Sequence, residues 1–156
     1  LAQAVYNLIA NEFECLCFLH NVRENSLKHG LEYLQEQLLF KSIGLKTQFG
    51  HVNEGIPIIK RRLCQKKVLL ILDDIDKLKQ LQVLVGEPGW LGRGSRVIIT
   101  TRDKHLLSSH GITKIYEAYG LNKEQALELL KTKAFKSNKS DSSYDYILYR
   151  AVKYAS

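Results

Sequence analysis

Two aspartates that follow an apolar run are the residues of this sequence best suited to chemistry. Asp73 and Asp74 come directly after Val68–Leu72, a continuous run of five apolar residues. A strand that is apolar on both sides is typical of a parallel sheet covered by helices, and such sheets bind ligands at the carboxyl ends of their strands. The first aspartate there can hold the magnesium of a bound nucleotide, and the second can polarise an attacking water. The pair could also cap the next helix, and the pattern alone leaves both interpretations open.

A second polar group follows another apolar strand. The run Arg96–Thr101 (RVIITT) ends in Thr100 and Thr101, and Arg102 and Asp103 come next. Two hydroxyls and an arginine at the ligand edge of a sheet suit a terminal phosphate, which arginine can bind with two parallel hydrogen bonds. Taken alone, Arg102 and Asp103 could be an ordinary surface ion pair. Combined with the aspartates on another strand, the phosphate interpretation is favoured.

The phosphate-binding loop that normally accompanies such residues is absent from the sequence. No Gly-Lys dipeptide occurs, and Gly44–Thr47 (GLKT) lacks both the adjacent lysine and the glycine that should precede it. The glycines within Gly89–Gly94 come before a strand and do not form a dinucleotide-binding pattern, so they indicate a turn. The five histidines are scattered. No arrangement of nucleophile and base for covalent catalysis is evident.

The elements that would position these residues alternate between helical periodicity and short apolar runs, which predicts βαβ units and an α/β fold. The predicted strands are Glu14–Val22, Val68–Leu72, Arg96–Thr101 and the weak Ile115–Ala118. The predicted helices are Leu1–Asn11, Gly30–Ser42, Asn53–Gln65, Lys77–Val85, Lys104–Ser109, a helix capped by Asn122 with Gln125 in capping-box position, and a last helix from about Tyr144, after a polar linker at 136–143.

Composition places the chain among ordinary globular proteins. It has 156 residues, of which 45% are hydrophobic and 25% charged. This excludes disordered and collagen-like classes, and no apolar run reaches the roughly 18 residues of a membrane span. Methionine is absent, even at position 1. We therefore expect the sequence to be a segment of a longer chain.

The three cysteines do not indicate a disulfide framework or a metal site. Their number is odd and no CxxC pair occurs, which fits a reducing compartment. Cys15, Cys17 and His20 could form a corner of a metal site, but the spacing matches no common zinc site. Residues two apart on a strand share a face, so buried thiols are the favoured interpretation.

Five segments follow one another along nearly the whole chain. They are LAQAVYN (Leu1–Asn7), FECLCFLHNVRENS (Phe13–Ser26), KVLLILDDID (Lys67–Asp76), GSRVIITTRDKHL (Gly94–Leu106) and YEAYGLNKEQALELLKTKAF (Tyr116–Phe135). Their order resembles that of the NB-ARC nucleotide-binding domain of plant TIR-NBS-LRR disease-resistance proteins. Asp76, the last residue of the third segment, is similar to the TIR class, where the coiled-coil class usually has tryptophan.

The resemblance implies a role for each candidate residue. Asp73 would be the aspartate on the magnesium side, and Asp74 the catalytic acid. Arg102 would be the sensor arginine that faces the γ-phosphate, with Thr100 and Thr101 on the same edge. The implied fold is a P-loop NTPase-like parallel sheet flanked by helices, without its first strand and its phosphate loop. The expected domains are a partial nucleotide-binding domain at 1–136, then a linker and the start of a helical ARC subdomain at 137–156.

The same resemblance implies a switch that is ADP-bound when off and ATP-bound when on, with Mg²⁺ and slow hydrolysis. Its implied partners are adenine nucleotide, the TIR and leucine-rich-repeat domains of the parent chain, and further copies on activation. We expect a cytoplasmic or nuclear location, and neither a membrane nor a nucleic acid as partner.

The resemblance also bears on the segment taken alone. It implies that the missing strand lies between Val68–Leu72 and Arg96–Thr101. We therefore expect the 156-residue chain alone to be unstable or to aggregate, to bind no nucleotide and to be inactive.

Two other function classes remain as alternatives. Another P-loop ATPase would share the aspartates, although it would not account for Asp76 and the two later motifs. A nucleic-acid-binding module is supported only by the net charge of +7. A degenerate segment of a receptor gene is a third alternative, disfavoured by the intact motifs.

Overall fold

The apolar runs form three parallel strands in the computed structural model, which describes residues 1–87, 89–134 and 144–155. The strands are β1 (Cys15–Leu19), β2 (Val68–Ile75) and β3 (Arg96–Thr101). They lie in the order β1-β2-β3, with β2 in the middle. All of Val68–Leu72 is fully buried, as expected for a strand covered on both faces. The predicted α/β fold with a parallel sheet is confirmed.

The strand order corrects one expectation. The resemblance implied that loss of the strand between β2 and β3 leaves these two without their shared neighbour. Instead, β2 and β3 form hydrogen bonds directly with each other. Ile71 in β2 is paired with Phe18 on one side and with Ile98 on the other. Within the described residues, β1 and β3 are therefore the two edge strands, and no gap lies in the middle of the sheet.

The helices surround the sheet in the first part of the chain and form a pair in the last part. Their bounds are α1 Ala2–Ile9, α2 Val22–Ile43, α3 Val52–Leu63, α4 Leu78–Leu84, α5 Lys104–Ser109, α6 Lys123–Ala134 and α7 Asp145–Ala155. A short 3-10 turn (Ala10–Glu12) follows α1, and the last three helices follow β3.

Helix α2 begins earlier than the sequence predicts. Asn21 has a left-handed backbone conformation, with φ of 47°, and turns the chain out of the strand. The Asn25 amide group donates to the carbonyl oxygens of His20 at 2.8 Å and of Asn21 at 3.2 Å. The helix therefore starts at Val22, where the sequence predicted the end of a strand. Gly30, with φ of 86° and ψ of 170°, interrupts the helix, and this is where the periodicity had placed its start.

Two predicted strands also differ in the structure. Ile115–Ala118 has no regular structure, because no strand within the described residues pairs with it. β2 continues past the predicted end at Leu72 to Ile75, so that Asp73 and Asp74 belong to the strand.

The sheet carries apolar residues on both faces. The larger core includes Cys17, Leu70 and Leu72, and the smaller one is formed around Phe18 and Ile71. Burial raises the pKa of the Cys17 thiol to about 12. The interpretation of the strand cysteines as buried thiols is confirmed.

The chain divides into two compact units, Leu1–Ile115 and Tyr116–Ser156. In the second unit, α6 and α7 pack against each other. The predicted capping box is present: the Asn122 side chain accepts from the Gln125 amide at 2.8 Å, and the Gln125 side chain accepts from the Asn122 amide at 3.1 Å. The predicted linker at 136–143 lies outside the described residues, and the domain boundary at residue 136 stays a prediction.

None of the described helices is both long and apolar enough to cross a membrane.

Candidate functional site

The five residues that the sequence singles out line one cavity at the carboxyl ends of β2 and β3. The cavity has a volume of about 480 Å³, within the range of small-molecule sites. The rest of the lining comes from Asn21, between β1 and α2, and from the first turn of α2, so the carboxyl ends of all three strands meet here. The lining residues are Asn21, Arg23, Glu24, Asp73, Asp74, Thr100, Thr101 and Arg102.

A β-bulge orients the two aspartates. Leu72 is paired with Ile99 and Ile75 with Thr101, so two residues of β2 lie opposite one residue of β3. Asp74 has a left-handed conformation with φ of 60°. That conformation costs about 1–2 kcal/mol in a residue other than glycine, although aspartate tolerates it better than most. Bulges of this kind redirect side chains near functional sites.

Thr100 connects the two aspartates. Its hydroxyl donates to Asp73 Oδ1 at 2.7 Å and accepts from the backbone amide of Asp74 at 2.9 Å. The Thr101 hydroxyl donates to the Ile75 carbonyl at 2.7 Å. Both hydroxyl hydrogens are therefore used within the protein. In this conformation the threonines position their neighbours, and their predicted contact with a phosphate stays a prediction.

The charges of the site are partly balanced. Arg23 Nη2 lies 3.0 Å from Asp74 Oδ2, and Lys28 lies 2.6 Å from Glu24. The hydrogen bond from Lys28 lowers the pKa of the Glu24 carboxyl. Within the described residues, neither Asp73 nor Arg102 forms an ion pair. One carboxylate and one guanidinium are therefore left on neighbouring strand ends.

This donor set fits the terminal phosphate and magnesium end of a nucleotide. Mg²⁺ is commonly held by one or two carboxylates together with phosphate oxygens and water, and Asp73 supplies such a carboxylate. No cluster of three metal-ligating side chains occurs in the described part of the chain, so the protein alone does not form a cation cage there. Arg102 supplies the geometry that binds phosphate.

Sequence reasoning assigned no role to three lining residues. Asn21, Arg23 and Glu24 follow the end of β1, just as the predicted residues follow the ends of β2 and β3. The rule that ligands bind at carboxyl strand ends could have found them. The predicted strand Glu14–Val22 placed Asn21 inside the strand, whereas Arg23 and Glu24 already followed its end.

Helix α4 is anchored beside the site by Gln80, a buried residue. Its side-chain oxygen accepts from the amides of Asp76 at 3.0 Å and Lys77 at 3.1 Å. Its side-chain nitrogen donates to Asp76 Oδ1 at 2.8 Å and to Ser26 Oγ at 2.9 Å. Gln80 therefore ties the end of β2 to the first turns of α2.

Comparison with known proteins identifies the family. The NB-ARC domain family matches residues 1–140. The chain is 43% identical over 156 residues to the disease resistance protein RPV1 of Vitis rotundifolia, and the match covers 99% of this chain and 11% of that protein. It is 35% identical over 162 residues to the TMV resistance protein N of Nicotiana glutinosa, covering 99% of this chain and 14% of that protein.

A third relative agrees with these two. The disease resistance protein RML1A of Arabidopsis thaliana is 39% identical over 145 residues, covering 90% of this chain and 14% of that protein. The chain thus spans only a small part of the length of each relative. The resemblance inferred from the motifs is confirmed, and the chain belongs to the NB-ARC domain family.

Proposed function

We propose that this chain is the nucleotide-sensing part of an ADP/ATP-dependent switch in an intracellular plant immune receptor. The observation that carries the proposal is the cavity in which the Asp73 carboxylate and the Arg102 guanidinium lie on neighbouring strand ends, neither in an ion pair with any described residue. Membership of the NB-ARC family supports nucleotide as the ligand. It also favours this function over a general nucleic-acid-binding module.

Each residue has a proposed role in the loaded receptor. Asp73, oriented by Thr100, would hold Mg²⁺, which offsets the negative charge of the phosphates. Arg102 would bind the terminal phosphate and so distinguish ATP from ADP. Asp74 is the candidate catalytic acid that would polarise an attacking water during slow hydrolysis. Thr100 and Thr101 would keep the two strand ends in register around these groups.

The parent protein is proposed to be a receptor of the TIR class, with TIR and leucine-rich-repeat domains in the same chain. Asp76, at the end of the segment Lys67–Asp76, supports this class. In the structure its carboxylate accepts from Gln80. Copies of the receptor would associate on activation and start defence signalling, in the cytoplasm or the nucleus.

The test identifies the nucleotide that co-purifies with the full-length receptor. We expect bound ADP in the unaltered receptor. Asp73→Ala should weaken retention, because the magnesium-side carboxylate is removed. Arg102→Ala should lower the affinity for ATP about tenfold or more relative to ADP, as expected for a charge-assisted contact.

Arg96→Ala is the matched control for Arg102→Ala. Arg96 lies at the opposite end of the same strand and is exposed, so its loss should leave nucleotide content unchanged. Absence of nucleotide from the unaltered receptor would overturn the proposal. Equal effects of the two arginine variants would show that Arg102 has no specific role.

A further inference from the structure

Arg23 is the one cavity residue that neutralises a candidate catalytic group. Its guanidinium lies 3.0 Å from Asp74 Oδ2, with 42% of the Arg23 side chain and 25% of the Asp74 side chain exposed. The Lys28–Glu24 pair on the same helix has both side chains more than half exposed. Exposed pairs of that kind contribute little to stability. The Arg23–Asp74 pair is better shielded, and it lies in the candidate site.

The backbone that carries Arg23 is held in place. The Ser26 hydroxyl donates to the Arg23 carbonyl at 2.8 Å and accepts from the buried Gln80 amide at 2.9 Å. Gln80 in turn accepts from the amide of Asp76, just after β2. The first turn of α2 and the end of β2 are therefore joined by a continuous chain of hydrogen bonds. This chain sets the separation between the backbones of Arg23 and Asp74.

The Asp74 end of the pair is held as well. The bulge in β2 and the left-handed conformation of Asp74 set its direction. The backbone amide of Asp74 donates to the Thr100 hydroxyl at 2.9 Å. Because the backbone is held at both ends by other contacts, little backbone freedom remains to be lost when the ion pair forms.

A terminal phosphate in the same cavity would compete with Asp74 for this guanidinium. Arg23 and Arg102 both line the cavity, and arginine binds phosphate at least as well as carboxylate. We propose that Arg23 is a positioning residue shared between two partners: it restrains Asp74 while no terminal phosphate is present, and it releases Asp74 when that phosphate enters. This inference rests on the proposed function.

The test is a thermodynamic cycle on the full-length receptor, with affinities for ADP and for a non-hydrolysable ATP analogue measured by calorimetry. Arg23→Gln should weaken binding of the analogue about tenfold and change ADP binding about twofold or less. Asp74→Asn should tighten binding of the analogue roughly threefold to tenfold, because Arg23 is set free. Asparagine tolerates the left-handed conformation at position 74, so the fold is retained.

The double variant Arg23→Gln/Asp74→Asn is decisive. If Arg23 is shared, the gain from Asp74→Asn disappears in the double variant. If the gain persists, Asp74 merely repels the phosphate and the inference is wrong. Arg23→Lys, which keeps the charge, should restore part of the preference for the analogue.

Arg62→Gln supplies the matched control, because Arg62 is exposed on α3 and does not line the cavity. We expect it to behave as the unaltered receptor. An unaltered receptor that binds neither nucleotide overturns the proposed function together with this inference. A receptor that binds both nucleotides, with Arg23→Gln weakening the two equally or not at all, overturns the inference alone.

Discussion

Among single residues, Thr100 links the two aspartates most directly. One hydroxyl both donates to Asp73 Oδ1 and accepts from the amide of Asp74, and these two groups lie on another strand. A threonine at this place thus contributes orientation before any ligand is bound. The sequence shows only that β3 ends in two threonines, Thr100 and Thr101. Which partner it contacts depends on the pairing of β2 with β3.

Thr100→Val tests this role while keeping the shape of the side chain. Loss of both hydrogen bonds should lower the free energy of local unfolding at the β2 bulge by about 1–2 kcal/mol. Amide hydrogen exchange within residues 73–76 should therefore become roughly tenfold faster. Peptide-resolved exchange on the full-length receptor measures this. Thr100→Ser, which restores the hydroxyl, should return the rate to that of the unaltered protein, and unchanged exchange in the valine variant would contradict the assigned role.

At the level of elements, the packing of α3 on α2 depends on a small residue. Gly55 in α3 lies against the buried Gln35 of α2, whose Nε2 donates to the Val83 carbonyl at 3.0 Å. A Cβ at position 55 would overlap the Gln35 amide group, with its Cδ only 2.6 Å away. At the point where the two helices and α4 meet, position 55 therefore has no room for a side chain beside that of Gln35.

Gly55→Ala should destabilise this helix packing by about 1–3 kcal/mol, the usual range for overpacking. The measurement is the thermal unfolding midpoint of the full-length receptor together with its resistance to limited proteolysis. Gly50→Ala is the control, since a Cβ there meets only Glu54 Oε1 at 3.7 Å. Equal stability of the two variants would show that Gln35 adapts without cost.

At the level of the whole molecule, β3 is an edge strand that pairs on one side only within the described residues. β3 is only half-buried, whereas the first five residues of β2 are fully buried. Val97 and Ile99 are partly buried against the larger core, and Ile98 is partly buried against the smaller one. An apolar strand with a free edge is a template for association with another chain. This edge replaces the internal gap that was first expected as the source of instability.

We therefore predict that the isolated 156-residue chain self-associates and shows negligible affinity for nucleotide, since no phosphate-loop motif is present in its sequence. Light scattering after size exclusion should detect oligomers whose mass grows with concentration. Calorimetry should detect no binding of ADP. A monomer with one cooperative thermal transition would contradict the first part, and micromolar binding of ADP would contradict the second.

Local patterns were sufficient for much of the fold. β3, α5 and the Asn122 capping box were predicted to within a residue, because burial and capping follow from the spacing of neighbouring side chains. The placement of Asp73 and Arg102 on a common edge also followed, since parallel strands bring their carboxyl ends together. The start of α2 and the strand at Ile115–Ala118 were wrong, because each depends on a partner that local periodicity does not reveal.

The sequence by itself thus determined which residues are buried in strands, which polar residues end those strands, and the family to which the chain belongs. Only the tertiary structure decided the order of the strands, the bulge at Asp74 and the pairing of Asp74 with Arg23. The physical reason is that these features arise between segments far apart in the chain. The Thr100 hydroxyl and the Asp74 amide, 26 positions apart, are one such contact. Their energies depend on geometry in space, which spacing along the sequence does not encode.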